Sequence, residues 1–266
     1  MSLEWRNRSI PAILAMFPYE GRYSMPDRRS HRGPHPEDTK LFDASNHTTL
    51  RLAIEECAYL LSRGYAEASI LQIVGNHHHL TQRQRMALRR SGCSDRSLER
   101  RRETCIPLTQ CPNGQIGVDG YNLLITIESA LSNGVILVGR DGCCRDLASV
   151  HGTYRKVSET LPAIRLIAKH FAEAGIRQVD WYLDRPVSNS GRLKAVMHDT
   201  LSETNIAWNI ELADNPDHVL TKYEGPVASS DSWVLDRCDL WVNLATDIIK
   251  MHIPECWMVD MSPGSR

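Results

Sequence analysis

No run of apolar residues in this 266-residue chain approaches the length of a membrane span. Several catalytic signatures are also missing. There is no G-x-S-x-G elbow, no Walker A loop, no H-E-x-x-H helix and no G-x-G-x-x-G fingerprint. These absences argue against integral membrane proteins, elbow-type hydrolases, P-loop NTPases and helix-borne zinc proteases, and they weaken the case for a dinucleotide enzyme. An excess of one charge is lacking too: Lys+Arg 31 against Asp+Glu 32 leaves a net charge of -1. Whole-chain electrostatics therefore says nothing about polyanions, and only the local distribution of charge is informative. The opening MSLEWRNRSIPAIL has no sustained apolar core and no small-residue cleavage site, so no secretory signal is expected. The eight cysteines (Cys57, Cys93, Cys105, Cys111, Cys143, Cys144, Cys238, Cys256) are then expected as reduced thiols in a cytoplasmic protein. Their spacing does not make a zinc site. Cys105 and Cys111 are too far apart, Cys143 and Cys144 are adjacent, and the run His77-His78-His79 stands just before a helix start.

What is present divides the chain into three. Residues 1–36 are rich in Arg, Pro, Gly and His and read as a basic, extended arm. Residues 37–105 read as a small helical domain. Leu50, Ala53, Ile54, Cys57, Leu60 and Leu61 recur at helical spacing, Gly64 is a natural stop, Thr81 is an N-cap, and residues 94–97 open a fourth helix. Arg83, Arg85, Arg89, Arg90, Arg96, Arg100, Arg101 and Arg102 crowd into this part, either as a solvated face or as a stripe that follows phosphates.

Residues 106–266 alternate strand and helix patterns, which implies a parallel sheet with helical crossovers and a ligand site at the carboxyl ends of the strands. Expected strands are QIGVDG, GVILVG, RQVDWYLD, IAWNIELA and PVASSD. Expected helices include YNLLITIESAL, RDLASVHGTYR, SETLPAIRLIAKHFAEAG, GRLKAVMHDTLSE and LWVNLATDII, with NPDHVL as a connection.

Four of those strand runs end in a carboxylate: Asp119, Asp141, Asp184 and Asp231. Carboxylates gathered at one rim repel one another and need a cation to coexist. Oxygen-only ligands point to Mg²⁺ or Mn²⁺, and such an ion lowers the pKa of a bound water and stabilises charge on phosphate oxygens. Gly120 after Asp119 suits a sharp turn, and Asn122 on the next helix faces the same rim. Asp184 leads through a Pro-Val-Ser-Asn-Ser loop to a helix start where Ser190 and Arg192 are candidates for phosphate contact. Asp146 and Asp236 read rather as helix-start and salt-bridge residues, and Asp231 has an N-cap reading beside the metal one. An Asp-x-Asp phosphatase is disfavoured because Gly117 stands two residues before Asp119.

Together VDGYNLLITIESAL, VGRDGCCRDL, WYLDRPVSNSGRL and VASSDSWVLDRCDLWVNLA resemble a prokaryotic family with a PIN-like (NYN-like) nuclease domain. The helical EECAYLLSRGYAEASILQIVGNHHHLTQRQRMALRRS resembles the small domain of unknown function that precedes it there. The resemblance covers about residues 37–250. It implies an α/β fold with a PIN-like, Rossmann-like parallel sheet flanked by helices and preceded by a small all-α domain. It also implies a metal-dependent ribonuclease, with RNA as substrate and DNA as the other candidate. The family's first acid matches Asp119 and its later acids match Asp184 and Asp231. The second acid is either Asp141 or Asp146. Glu128, on the helix after the first strand, is set deeper than the family's helical acid. An inactive RNA-binding adaptor and a small-molecule phosphohydrolase are the alternatives. No membrane partner is expected, and homo-oligomerisation is left open.

Overall fold

The computed structural model describes residues 31–148 and 154–262. Most of the expected basic arm, residues 1–30, lies outside the described residues, as does part of the expected helix over 145–155. Five helices come first: α1 (Asp38–Leu41), α2 (Ala44–Ser62), α3 (Glu67–His77), α4 (Gln82–Ser91) and α5 (Asp95–Thr104). Their starts are built from capping side chains. Asp43 accepts from the Ser45 N–H, Thr81 and Gln84 form a reciprocal capping box, and Ser94 accepts from the Ser97 N–H. Gly64, at φ 78°, follows the end of α2, where a left-handed residue terminates a helix most cheaply.

The apolar stripe of α2 (Leu50, Ala53, Ile54, Cys57) packs on Phe42, Ile70, Val74 and Leu88. That core is completed by Val135, Leu137, Leu147, Val259 and Met261, which come from the far part of the chain. The helical region therefore shares its core with the α/β region.

The main sheet has five parallel strands in the order β5-β4-β1-β6-β7. They are β1 (Gln115–Asp119), β4 (Gln178–Asp184), β5 (Ala207–Ala213), β6 (Val227–Ala228) and β7 (Trp241–Val242). Helices α6 (Gly120–Leu131), α7 (Thr160–Glu173) and α8 (Ser190–Leu201) lie on the longer crossovers, α11 (Leu244–His252) follows β7, and α9 (Pro216–Leu220) and α10 (Ser232–Leu235) are single turns. The chain runs outward through β1, β4 and β5, then returns to the other side of β1 with β6. The carboxyl ends of β1 and β6 are therefore a switch point, where a parallel sheet opens a crevice.

A second, three-stranded sheet has the order β3-β2-β8, formed by β2 (Ile136–Val138), β3 (Cys144–Asp146) and β8 (Met258–Asp260). Two expectations are corrected here. The strand GVILVG belongs to this sheet and not to the main one. The residues that follow it begin with an antiparallel strand, Cys144–Asp146, where a helix was expected. The Asp141-Gly142 pair explains both: Gly142 at φ 78° and the Gly139–Cys143 backbone bond of 3.0 Å close a hairpin. Similarly, NPDHVL is a short helix capped by Asn215 with Pro216 in its first turn, and LWVNLATDII begins as edge strand β7 before becoming α11.

Candidate acidic site at the carboxyl rim

Asp119 is the last residue of β1 and is 5% exposed. The Val118–Ala228 register places Ser229 opposite it, and the Ser229 hydroxyl donates to Asp119 Oδ2 at 2.7 Å. The Asp231 N–H donates to that same hydroxyl oxygen at 3.0 Å. Asn122, one turn into α6, reaches Asp119 with its side chain and accepts from the Ser230 hydroxyl at 2.7 Å. Burial pushes the Asp119 carboxyl up to about 7; Ser229 and Asn122 oppose the rise, and Asp217 and Asp231 add to it by repulsion.

Asp184 ends β4, next to β1 in the sheet, and burial raises it as well. Asp217 sits in the first turn of α9. Although the residue is exposed, partial burial of its carboxyl, followed by repulsion from Asp231 and Asp184, pushes it up to about 6. Asp231 caps α10 by accepting from the Trp233 and Val234 N–H groups at 2.8 and 3.2 Å. Its cap reading and its place among the acids hold together, because both follow from the end of β6. The mutual repulsions tie Asp119, Asp184, Asp217 and Asp231 into one acidic group. Among the described residues, no three of these aspartates bring ligand oxygens within 4.8 Å of one another. A hydrated Mg²⁺ or Mn²⁺ takes only one or two carboxylates directly and does not require three to converge.

Asp141 does not belong to this group. It lies beyond β2 in the second sheet, clamped by Arg145 (2.7 Å) and Arg101 (2.6 Å). Burial alone would raise its pKa, but the two guanidinium groups hold it well below the usual carboxylate range. A carboxylate already neutralised by two buried arginines is a poor cation ligand. Its connection to the rim is indirect, since Arg145 Nε donates to the Ser230 carbonyl at 2.7 Å.

Ser190 and Arg192 are placed differently from each other. The Ser190 hydroxyl is buried, bonding Tyr121 at 2.8 Å and donating to the Asp184 carbonyl at 2.6 Å. It docks the start of α8 against the end of β4 and is not presented to a ligand. Arg192 is exposed in the first turn of α8. The other acids weighed from the sequence are elsewhere. Asp146 accepts from Thr126 at 2.8 Å, and Asp236 pairs with Arg101 at 2.8 Å. Buried Glu128 binds Arg32, Tyr154 and Thr160.

Asp217 and Ser229 were missed by the sequence reading. The signal for Asp217 was Asn215-Pro216-Asp217, a helix-start pattern that turns the Asp back over the rim. Ser229 carried no signal of its own beyond lying between β6 and Asp231.

Half of the arginine cluster, four of the eight, is engaged internally, which interrupts a continuous stripe. Arg83 pairs with buried Asp38, Arg85 donates to the Leu80 and Leu71 carbonyls, Arg90 holds the Asp146 and Ala148 carbonyls, and Arg101 is buried. Arg89, Arg96, Arg100 and Arg102 are exposed, and Arg96 and Arg100, with Asp236 and Arg237, line a cleft of about 390 Å³ beside α10.

Residues 108–247 match the family model described as a domain of unknown function (DUF5616). The chain belongs to the DUF5616 family. Within the DUF5616 match lie the whole main sheet and all four rim aspartates, whereas α2–α5 fall largely in a second match, to a protein of unknown function (DUF434), over residues 49–103. A protein of Methanocaldococcus jannaschii described as uncharacterized is 29% identical over 187 residues, covering 70% of this chain and 89% of the relative. No solved structure matches the chain. Among the described residues, no helix is long and apolar enough to cross a membrane.

Proposed function

We propose that this DUF5616 member is a metal-dependent nuclease that hydrolyses phosphodiester bonds in RNA. The observation that carries the reading is the gathering of Asp119, Asp184, Asp217 and Asp231 at the switch point of the parallel sheet, with Asp119 and Asp217 pushed up to about 7 and 6. An all-oxygen donor set of this kind fits Mg²⁺ or Mn²⁺ and not a softer ion. When bound, such an ion supplies an activated water and neutralises charge on the phosphate. Asp119 and Asp184, at the ends of adjacent strands, would hold it. Asp217 and Asp231, on the flanking turns, would complete the ligand shell or orient its waters. Ser229 and Asn122 fix the Asp119 carboxylate by hydrogen bonds from opposite elements.

The surroundings favour a polymer over a small phosphate ester. Trp233, 41% exposed, lies two residues beyond Asp231, and the Arg237 guanidinium covers its ring at 4.5 Å. An exposed aromatic of this kind is a platform for an unpaired base. The Arg96–Arg100–Arg237 cleft continues from there, past a single helical turn, as a path for phosphates. The resemblance of the β1–α6, β4–α8 and β6–α10 segments to PIN-like domains supports the same reading.

The test is cleavage of an end-labelled single-stranded RNA with Mn²⁺ or Mg²⁺, with a DNA strand of the same sequence in parallel. Cleavage should require the ion and fall at least about 100-fold in Asp119→Asn and Asp184→Asn, more than an outer-shell partner usually contributes. Full activity in Asp119→Asn refutes the assignment. Salt-sensitive RNA binding that ignores chelator, with no cleavage, identifies an adaptor instead.

A further inference from the structure

We propose that His170, Glu173 and His252 form a second cation site, selective for zinc or a similar first-row transition metal and separate from the acidic rim. His170 and Glu173 are three residues apart on α7 and so share a face, and His252 ends α11 opposite them. His170 Nδ1 lies 3.2 Å from His252 Nε2, which in turn lies 3.9 Å from Glu173 Oε2. A tetrahedral ion with Zn–N bonds of 2.0–2.1 Å sets its nitrogen ligands about 3.3 Å apart, so the two imidazoles already stand at the required bite. Glu173 is half-exposed and needs only a side-chain adjustment to close the triad.

A simple hydrogen bond between two histidines accounts for one nitrogen of each ring, but it does not account for Glu173 Oε2 facing the same nitrogen beside an open cleft. Both rings are 6% exposed, yet His170 and Glu173 form part of the wall of a cleft of about 650 Å³ that also includes Leu108, Asp247 and Met251. An ion at the triad would have three protein ligands and one position facing that cleft, the ligand count of an accessible zinc centre. Burial lowers both histidines, His170 to about 4, which favours the neutral rings a metal needs; the facing nitrogen that carries the proton of the hydrogen bond would pass it to the other nitrogen of its ring when an ion binds. Lys169 contacts the other Glu173 oxygen, Oε1, at 3.5 Å, leaving Oε2 on the histidine side.

Imidazole nitrogens also separate this site chemically from the rim, whose donors are all oxygen. The two are far apart in the fold. Helix α7 ends shortly before β4 begins, which puts the triad at the amino end of the sheet, about 20 Å of strand from Asp184.

The experiment is a Co²⁺ titration of the full chain followed by visible absorption, with Zn²⁺ as competitor. One equivalent of Co²⁺ should give the intense d–d bands of a four- or five-coordinate ion, and Zn²⁺ should erase them. The signal should persist in Asp119→Asn. Affinity should fall at least about 100-fold in His252→Gln and at least about 10-fold in Glu173→Gln, judged against the 10–100-fold effect of outer-shell groups alone. Glu173 is exposed enough that its replacement leaves the fold intact. The proposal fails if no saturable spectrum appears, if a sulfur-to-cobalt charge-transfer band shows that thiols hold the ion, or if Glu173→Gln binds as the parent does. Loss in Asp119→Asn with retention in Glu173→Gln would place the ion at the rim and also overturn it.

Discussion

At the scale of single residues, the rim aspartates trade stability for charge. Asp119 carries a folded-state pKa of about 7, against an ordinary aspartate value near 3.9 in the unfolded chain. Between those values the folded protein holds a proton that the unfolded chain has released. Stability contributed by this group is therefore complete at low pH and is lost as pH rises through the interval, at up to about 1.4 kcal/mol per pH unit. Asp217, raised to about 6, adds to the same slope. A divalent cation would reverse it by favouring the ionised forms. The expectation is that Mn²⁺ raises the Tm by several degrees at roughly pH 8 and much less at roughly pH 5, and that Asp119→Asn without metal is more stable than the parent at the higher pH. Thermal melts at the two pH values check this. Equal Mn²⁺ effects at both pH values would contradict it. Asp141 shows why such groups are hard to tell apart in a sequence. It ends an apolar run just as Asp119 does, yet Arg145, four residues on, and Arg101, forty residues back, neutralise it. Nothing near Asp141 in the sequence announces Arg101.

At the scale of elements, the periodic segments were legible and the short ones were not. Helices α2–α4 and α6–α8 and strands β1 and β4 follow from apolar spacing and caps, because each buries an apolar stripe or run, whereas α5 follows from its Ser94 cap and β5 from its strand-forming residues. The hairpin of β2 and β3, the single turns α9 and α10, and the edge strands β7 and β8 depend on pairing partners far away in the chain. Three residues carry too little periodicity to choose between helix and strand. Gly120 was expected to matter through turn geometry, but it opens α6 in ordinary helical conformation. Its importance is spatial. A Cβ there would lie 2.3 Å from Trp181 Nε1 and 2.5 Å from the Tyr182 carbonyl oxygen. No side-chain rotation relieves the contact with the carbonyl, so α6 would have to move away from β4 and carry Asn122 with it. Gly120→Ala should lower the Tm by roughly 5–10 °C, the result of about 2–3 kcal/mol of overpacking in a chain of this size. It should also weaken Mn²⁺ binding at the rim. An unchanged Tm would show that the interface between α6 and β4 is looser than described.

At the scale of the whole molecule, the boundary near residue 105 marks a change of architecture but not a break in the core. Leu50, Ile54, Ile70 and Leu88 of the helical region are buried in the same cluster as Val135, Leu137, Val259 and Met261. Polar links cross the same boundary. Buried Arg101 of α5 pairs with both Asp141 and Asp236, and Arg90 of α4 holds the Asp146 and Ala148 carbonyls. Residues 106–262 alone would expose one face of the three-stranded sheet and leave Asp141 with one guanidinium where it now has two. A buried carboxylate that loses a partner is destabilised by about 3–5 kcal/mol, a large part of the stability of an ordinary domain. The two family matches therefore cover parts of one folding unit. The expected outcome is a single calorimetric transition for the full chain, with van't Hoff and calorimetric enthalpies in agreement. Residues 106–262 expressed alone should be insoluble or lack a cooperative melt. Two resolved transitions, or a soluble fragment that melts cooperatively, would show that the helical region is an independent attachment. In that case its arginines would be free to serve some partner other than the sheet.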